Sequence, residues 1–206
     1  MRRDIFDPMI ALLSRQRGLT VAVAFAVSGL LGACETKGGF HGIEIDPSRA
    51  LPAFQFTHAN GSVFRTVAEP GHPQLYFFGY THCPDVCPTT LADWTRVKKA
   101  LGTASSRVRF VFVTIDPERD TPAVASHYAA QFDSSFVGVS GDSLTTVHIK
   151  EAFGVVAYHE GGTEPNGYFV SHSSQVFLVD GKGRLVAQYP FGIGWEAMTA
   201  DLKRFL

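Results

Sequence analysis

The spacing of apolar residues along the chain alternates between continuous runs and helical periodicity. Two continuous apolar runs, residues 74–79 and 108–115, are typical of strands that are buried on both faces of a sheet. Apolar residues at helical spacing predict a helix between these strands, with Gly102 as its stop. The elements predicted in this way are, in chain order, a hairpin at 54–64, a strand at 74–79, a helix at 89–101, a strand at 108–115, a helix at 122–132, a strand at 136–139, a helix at 143–153, a strand at 155–158, a hairpin at 175–189 and a helix at 195–206.

Two local signals support the ends of these elements. Asn60-Gly61 between short apolar runs is a strong hairpin signal. Thr121 followed by Pro122 is typical of a helix start, with the threonine as N-cap. Strands that alternate with helices indicate an α/β domain with helices on both faces of a central sheet. The order predicts a thioredoxin-like fold with an added N-terminal β-hairpin and a late hairpin that carries a candidate metal-ligand histidine.

The N-terminal segment has the features of an export signal. Arginines precede an apolar run at residues 19–31, which is shorter than the ~20 residues that span a bilayer. Small residues then lead into Cys34, as in bacterial lipoprotein signals, where the thiol receives a diacylglyceride and the chain is cleaved before the cysteine. The alternative is an uncleaved short anchor with an incidental cysteine. We favour lipidation, because the charges, the apolar length and the small residues agree.

This interpretation divides the chain into three parts. Residues 1–33 are predicted as a lipoprotein signal peptide, residues 34–47 as a flexible, glycine-containing tether, and residues 48–206 as the folded domain. The net charge is −1, and the absence of a basic run argues against nucleic acid as a partner. An exported thiol pair tends to be oxidised to a disulfide unless it is kept reduced or holds a metal.

The remaining two cysteines, Cys83 and Cys87, directly follow the strand at 74–79. If Cys87 lies in the first turn of the next helix, both sulfurs lie on one side of that turn. A helix N-terminus favours the thiolate form, which both disulfide exchange and metal binding require. A structural disulfide is the third interpretation, but it would close a short loop and constrain little of the unfolded chain.

A metal site needs a further ligand, and His172 is the strongest candidate among the eight histidines. It directly precedes the strand at 175–179. In a thioredoxin-like fold, the loop that enters this strand faces the segment with the two cysteines, residues 80–87, which is called the cysteine turn below. Oxidoreductases of this fold carry a cis proline there, whereas this chain has no proline between Pro165 and Pro190. Two thiolates and one imidazole suit Cu(I), or Cu(II) with one further ligand, and make a poor structural zinc site.

Three motifs give the chain its resemblance to a known family. They span residues 78–88, 114–122 and 172–181, and with their spacing the chain resembles the Sco/SenC family of exported copper proteins. The resemblance implies a thioredoxin-like fold with an extra N-terminal hairpin, and copper held by Cys83, Cys87 and His172. One departure is Ser171, which stands where relatives often carry an acidic residue that could orient the imidazole.

The function implied by the resemblance is copper delivery to the Cu(A) site of cytochrome c oxidase subunit II. Such a metallochaperone would lie on the periplasmic side of a bacterial membrane, held through lipidated Cys34, with the inner membrane favoured by this target. Another exported copper chaperone or a thiol reductant would be a further partner. The alternative is a thiol–disulfide oxidoreductase that uses Cys83 and Cys87 alone and reduces the Cu(A) cysteines or other exported thiols. A peroxidase ranks last, because no arginine lies beside Cys83.

Overall fold

The computed structural model describes residues 39–66, 68–164 and 167–206. The predicted signal peptide and the lipidation site Cys34 lie outside the described residues and stay predictions. Within those ranges, no helix is both long and apolar enough to cross a membrane.

A six-stranded mixed sheet forms the centre of the domain, in the order β1-β10-β9-β4-β5-β6. Strands β4, β5 and β6 are mutually parallel, and β9 runs antiparallel to β4. Two further pairs, β2–β3 and β7–β8, are separate two-stranded ribbons. The strands are β1 (Ile43–Ala50), β2 (Gln55–Thr57), β3 (Val63–Arg65), β4 (Gln74–Gly79), β5 (Arg109–Thr114), β6 (Val137–Val139), β7 (Ala157–Glu164), β8 (Gly167–His172), β9 (Val176–Val179) and β10 (Arg184–Tyr189).

In the described part of the chain, four helices cover the two faces of this sheet. Alternate residues of β4 point to opposite faces, so Leu75 and Phe77 enter one core while Tyr76 and Phe78 enter the other. Trp94 of the first helix packs edge-on against Phe77 in the first core. The helices are α1 (Val86–Leu101), α2 (Pro122–Phe132), α3 (Ser143–Phe153) and α4 (Trp195–Leu202), with 3₁₀ turns at Gly102–Arg107 and Lys203–Phe205.

The structure confirms the α/β class and the thioredoxin-like order of elements, including the N-terminal hairpin β2–β3. Thr121 caps α2 by accepting a hydrogen bond from the Val124 amide at 3.3 Å. Helix α1 begins three residues before the predicted start, at Val86, and this earlier start places Cys87 inside the helix.

The predicted tether extends too far along the chain. Strand β1 begins at Ile43 and pairs antiparallel with β10, so residues 43–47 belong to the sheet. A Cβ atom on Gly42 would lie 2.6 Å from the Tyr189 ring, so this glycine allows close packing rather than flexibility. The amides of His41 and Gly42 both donate to the buried Asp201 carboxylate. The tether was predicted from glycine content, and glycine content does not reveal such long-range contacts.

The ribbon β7–β8 was also missed, since residues 161–167 have the composition of a loop. The two strands pair antiparallel, with Ala157 opposite His172. His172 is therefore the last residue of β8, and it lies on this ribbon instead of in a loop before β9. Gly161 and Gly162, which are typical of a loop, lie within β7.

Candidate metal centre

The centre lies at one edge of the sheet because of how the strands run. Strands β4 and β5 are parallel, so the segments that follow them leave at the same edge. Strand β9 is antiparallel to β4, with Val176 opposite Phe77, so the segment that enters β9 also arrives there. The cysteine turn after β4 and His172 before β9 therefore meet.

Gly79 ends β4 and makes room for the second cysteine. A Cβ atom at this position would lie 2.6 Å from the Cys87 sulfur and 3.0 Å from the Phe112 ring. Since contacts below 3.0 Å do not occur for real Cβ atoms, Cys87 could not keep its place beside any larger residue. Cys87 is completely buried, whereas Cys83 is only half-buried.

The two cysteines are unbonded thiols in close proximity. The backbone amide of Cys87 donates to the Cys83 sulfur at 3.4 Å. A hydrogen bond from the Cys87 thiol lowers the pKa of Cys83 far below the ordinary value of a thiol. The same hydrogen bond, together with burial, raises the pKa of Cys87. Cys83 is therefore the thiol that loses its proton more readily, and a metal that binds both sulfurs has to displace the proton of Cys87.

The imidazole of His172 completes the group. Its Nε2 atom lies 3.7 Å from the Cys87 sulfur, and its Nδ1 atom lies 2.9 Å from the Ser173 carbonyl oxygen. A carbonyl oxygen only accepts, so this contact requires the proton on Nδ1 and leaves a lone pair on Nε2. The ring is held edge-on against Phe77 and Tyr80, each at a centroid distance of 6.0 Å.

The structure thus brings together Cys83, Cys87 and His172, the three residues predicted from the sequence. Their candidate ligand atoms all lie within 4.8 Å of one another. Metal–sulfur and metal–nitrogen bonds are about 2.0–2.3 Å long, so one ion fits between donors at this separation. Across the described ranges, no other cluster of three or more histidine, cysteine or acidic side chains has this geometry.

Asp120 holds the cysteine turn in place through hydrogen bonds, a role that was not predicted from the sequence. This buried carboxylate accepts hydrogen bonds from the Thr81 amide at 2.8 Å and the Thr81 hydroxyl at 2.5 Å. It also accepts from the Thr114 hydroxyl at 2.7 Å, which joins the turn to the end of β5. His82 lies 3.8 Å from the same carboxylate and is half-exposed. In the sequence, Asp120 lies in the second motif, residues 114–122, whose pattern is equally typical of a simple turn before a capped helix.

Ser171 finds a carboxylate on the neighbouring strand. Its hydroxyl donates to Glu160 of β7. Successive residues of a strand point to opposite faces, so Ser171 lies on the outer face of the ribbon while His172 faces the cysteines.

The fold and this side-chain group define a thioredoxin-like domain with two cysteines and one histidine at a strand–helix junction. The SCO1/SenC family model matches residues 44–206. The chain belongs to this family.

Individual relatives agree with this assignment. An SCO2-like protein of Rickettsia typhi is 32% identical over 152 residues, which cover 73% of this chain and 75% of that protein. The solution structure of apo Sco1 from Thermus thermophilus is similar with a TM-score of 0.72 and 34% identity, over 83% of this chain and 99% of that one. ScoI of Bradyrhizobium japonicum, solved with copper bound, has a TM-score of 0.68 and 37% identity, over 76% and 99%.

Proposed function

We propose that the protein binds one copper ion as cargo through the sulfurs of Cys83 and Cys87 and Nε2 of His172. The observation that carries the proposal is that these three atoms lie within 4.8 Å of one another, although His172 is 85 positions from Cys87 in sequence. The Nδ1–Ser173 contact supports it further, because it leaves Nε2 free to bind a metal.

The donor set favours copper over other metals. Two thiolates and an imidazole are soft to borderline ligands that suit Cu(I) in low coordination, and Cu(II) when one further ligand is added. A structural zinc site uses four protein ligands, and the described part of the chain offers no fourth histidine, cysteine or carboxylate at this position. The copper-bound ScoI relative from Bradyrhizobium japonicum is consistent with this choice.

The recipient that we propose is the Cu(A) centre of cytochrome c oxidase subunit II. Cys87 is fully buried, whereas Cys83 and His172 are both partly exposed, so a donor atom of the partner approaches the ion from the side of these two residues. We infer that the partner's ligand replaces Cys83 or His172 first, and that Cys87, as the buried ligand, releases the ion last.

A thiol–disulfide reductase is the second candidate function, and the lowered pKa of Cys83 favours it. The Cys83 thiolate would attack a disulfide of the target and form a mixed disulfide, expelling one target thiolate. Cys87, once deprotonated, would then attack the Cys83 sulfur and release the second target thiolate. The target gains two electrons, this protein ends with a Cys83–Cys87 disulfide, and an exported thiol reductant has to restore the dithiol.

We also propose that Cys34 carries a lipid that holds the domain on the periplasmic side of the membrane, with the inner membrane favoured. Expression of the wild-type chain and of Cys34→Ser, followed by membrane fractionation and fatty-acid labelling, tests this directly. Label and membrane association should both be lost in the variant. An unlabelled wild-type chain would refute lipidation.

Copper binding is tested on the reduced domain from Glu35 onward. Wild-type protein and His148→Ala, which removes an exposed histidine on α3, should each bind one copper ion tightly and show thiolate-to-Cu(II) charge-transfer bands. Cys83→Ser, Cys87→Ser and His172→Ala should weaken or abolish both. Transfer is then followed by the appearance of Cu(A) absorbance in an added apo subunit II domain.

The opposite result has a clear meaning. Weak copper binding that is indifferent to His172, together with a reversible dithiol titration, would refute the copper proposal and leave the reductase. Tight binding without transfer to subunit II would leave the copper site in place and refute only the proposed recipient.

A further inference from the structure

The position of His172 depends on how the β7–β8 ribbon is held. Within the described ranges, this ribbon pairs with no strand of the central sheet. His172 is at its very end, so small movements of the ribbon would change the distance from Nε2 to the cysteine sulfurs. The side chains that fix the ribbon are therefore relevant to the metal centre.

Arg119, in the loop after β5, makes the most specific contacts with the ribbon. Its Nε atom donates to Asp116 at 2.5 Å, and its Nη1 atom donates to the backbone carbonyl of Tyr168 at 2.9 Å. The guanidinium carbon lies 3.8 Å from the centroid of the Tyr168 ring. Tyr168 in turn donates its hydroxyl to Asp116 at 2.7 Å. Each of these three residues is thus hydrogen-bonded to the other two.

These contacts extend to the metal centre through a second ring. The Arg119 guanidinium also lies 5.7 Å from the centroid of Tyr80, which belongs to the cysteine turn. Tyr80 is buried and meets the His172 ring edge-on at 6.0 Å and 88°. His159 of β7 stacks on Tyr168 at 4.3 Å, so both strands of the ribbon are included.

The chemistry of Asp116, Arg119 and Tyr168 suits them to hold the β7–β8 ribbon in a fixed position. Asp116 is 1% exposed and accepts from both Arg119 and Tyr168, so its charge is neutralised within the group. Burial and the hydrogen bond to Asp116 raise the pKa of Tyr168 to about 12, so its hydroxyl remains a donor at neutral pH. Arginine is planar, donates in fixed directions and stacks on aromatic rings, whereas lysine keeps only the charge.

We propose that Asp116, Arg119 and Tyr168 form a clamp that holds the β7–β8 ribbon against the loop after β5 and thereby sets the position of His172 relative to Cys83 and Cys87. The clamp residues are positioning residues, since their contacts are with one another and with Tyr80 rather than with the ligand atoms. The inference rests on the proposed copper site.

The test compares Arg119→Lys and Tyr168→Phe with Arg109→Lys in the full-length chain, all carrying Cys34→Ser. Arg109 is a matched control at the other end of β5. It donates to Glu69 at 2.7 and 2.5 Å and lies 6.0 Å from the Phe64 ring centroid, far from the cysteines in the sheet. Any general effect of replacing a paired arginine by lysine should be common to both variants.

Copper affinity and the Cu(II) spectrum are the first readouts. Arg119→Lys should still bind one copper ion, with affinity reduced about tenfold or more, because residues that orient a ligand typically change metal affinity by 10–100-fold. Its charge-transfer bands should shift. Tyr168→Phe, which removes only one hydroxyl, should show a smaller change in the same direction. Arg109→Lys should keep the wild-type affinity and spectrum.

The second readout uses the metal-free protein, so it is independent of copper. Nuclear Overhauser contacts between the rings of His172 and Tyr80 should weaken in Arg119→Lys and persist in Arg109→Lys. Unchanged contacts and unchanged copper binding in Arg119→Lys would overturn the clamp. If Arg119→Lys does not fold, Tyr168→Phe decides by the same criteria. If the wild type binds no copper, the proposed function fails, and the ring contacts still decide whether the clamp positions His172.

Discussion

The sulfur of Cys87 lies 3.7 Å from Nε2 of His172, although 85 positions separate the two residues in sequence. Both are held from several sides: Cys87 is completely buried, and the His172 ring lies edge-on against Phe77 and Tyr80. Cys83 and His172 are both partly exposed. Of the two sulfurs, only that of Cys83 is therefore accessible from the surroundings.

This difference in exposure predicts the order of chemical modification. In the reduced domain from Glu35 onward, iodoacetamide should alkylate Cys83 rapidly and Cys87 only slowly, because the Cys87 sulfur has no contact with solvent. Peptide mass spectrometry over time measures both rates. In urea the two rates should converge, which is the control. Equal rates in the native protein would contradict the buried position of Cys87.

Gly79→Ala should destabilise the domain and disturb the copper site. The new methyl group would lie 2.6 Å from the Cys87 sulfur, and overpacking of a core costs about 1–3 kcal/mol. Alanine also restricts the unfolded chain, which stabilises by about 0.4–1 kcal/mol, so the net effect is a loss. Urea unfolding measures the change.

The matched control for this substitution is Gly161→Ala on β7, where no atom lies within 4 Å of the added Cβ. This variant should be as stable as the wild type or slightly more stable. A Gly79→Ala protein that behaved like Gly161→Ala in unfolding and in copper affinity would show that the cysteine turn tolerates displacement.

Asp120→Ala should cost more stability than removal of an exposed carboxylate. Asp120 is completely buried and accepts three hydrogen bonds, and its loss leaves the Thr81 amide without its acceptor. Hydrogen bonds to charged groups contribute about 1.5–3 kcal/mol each, but removal of the buried charge also removes its desolvation cost, so we expect a net loss of about 3 kcal/mol. Urea unfolding and copper affinity should both be affected, since Thr81 lies in the cysteine turn.

Asp142→Ala serves as the comparison for Asp120→Ala. Asp142 is an exposed N-cap of α3 that accepts from the Thr145 amide at 2.7 Å, so its removal should cost less stability than the removal of a buried carboxylate with three hydrogen bonds. If the two variants lose equal stability and both keep wild-type copper affinity, the proposed support of the cysteine turn by Asp120 is wrong.

Asp201 should make stability depend on pH in the acid range. Burial alone would raise the pKa of its carboxyl, but hydrogen bonds from His41, Gly42 and Tyr189 lower it below its ordinary value. The native state therefore binds this proton less readily than the unfolded state. The stabilisation is present above the unfolded-state pKa of about 3.9 and is lost as the pH falls through the native pKa.

The measurement compares Asp201→Asn with the wild type in urea at pH 7, 4 and 3. At pH 7 the variant should be less stable by about 2 kcal/mol, because the amide replaces a charged acceptor of several hydrogen bonds. The difference should shrink as the pH falls below about 4, because the carboxyl of the unfolded wild type then binds a proton that the native state binds less readily. A difference that stays constant over this range would show that proton binding by Asp201 does not contribute to the pH dependence of stability.

Elements defined by nearby residues could be predicted from the sequence. The strand at 74–79 coincides with β4, and the helix after Thr121 has the predicted cap, because burial pattern and capping depend on residues close together. The grouping of Cys83 and Cys87 followed in the same way from their spacing at a strand–helix junction. His172 was reached only through the topology expected for the fold.

What the sequence by itself determined was the α/β order of elements, the cysteine pair and the single best histidine. The tertiary structure alone decided that the strand paired with β10 begins at Ile43, that His172 ends a separate ribbon, and that Asp120 holds the cysteine turn. Each of these depends on contacts between residues distant in sequence. Local patterns do not encode such contacts, because the same glycines and carboxylates are equally compatible with loops and surface turns.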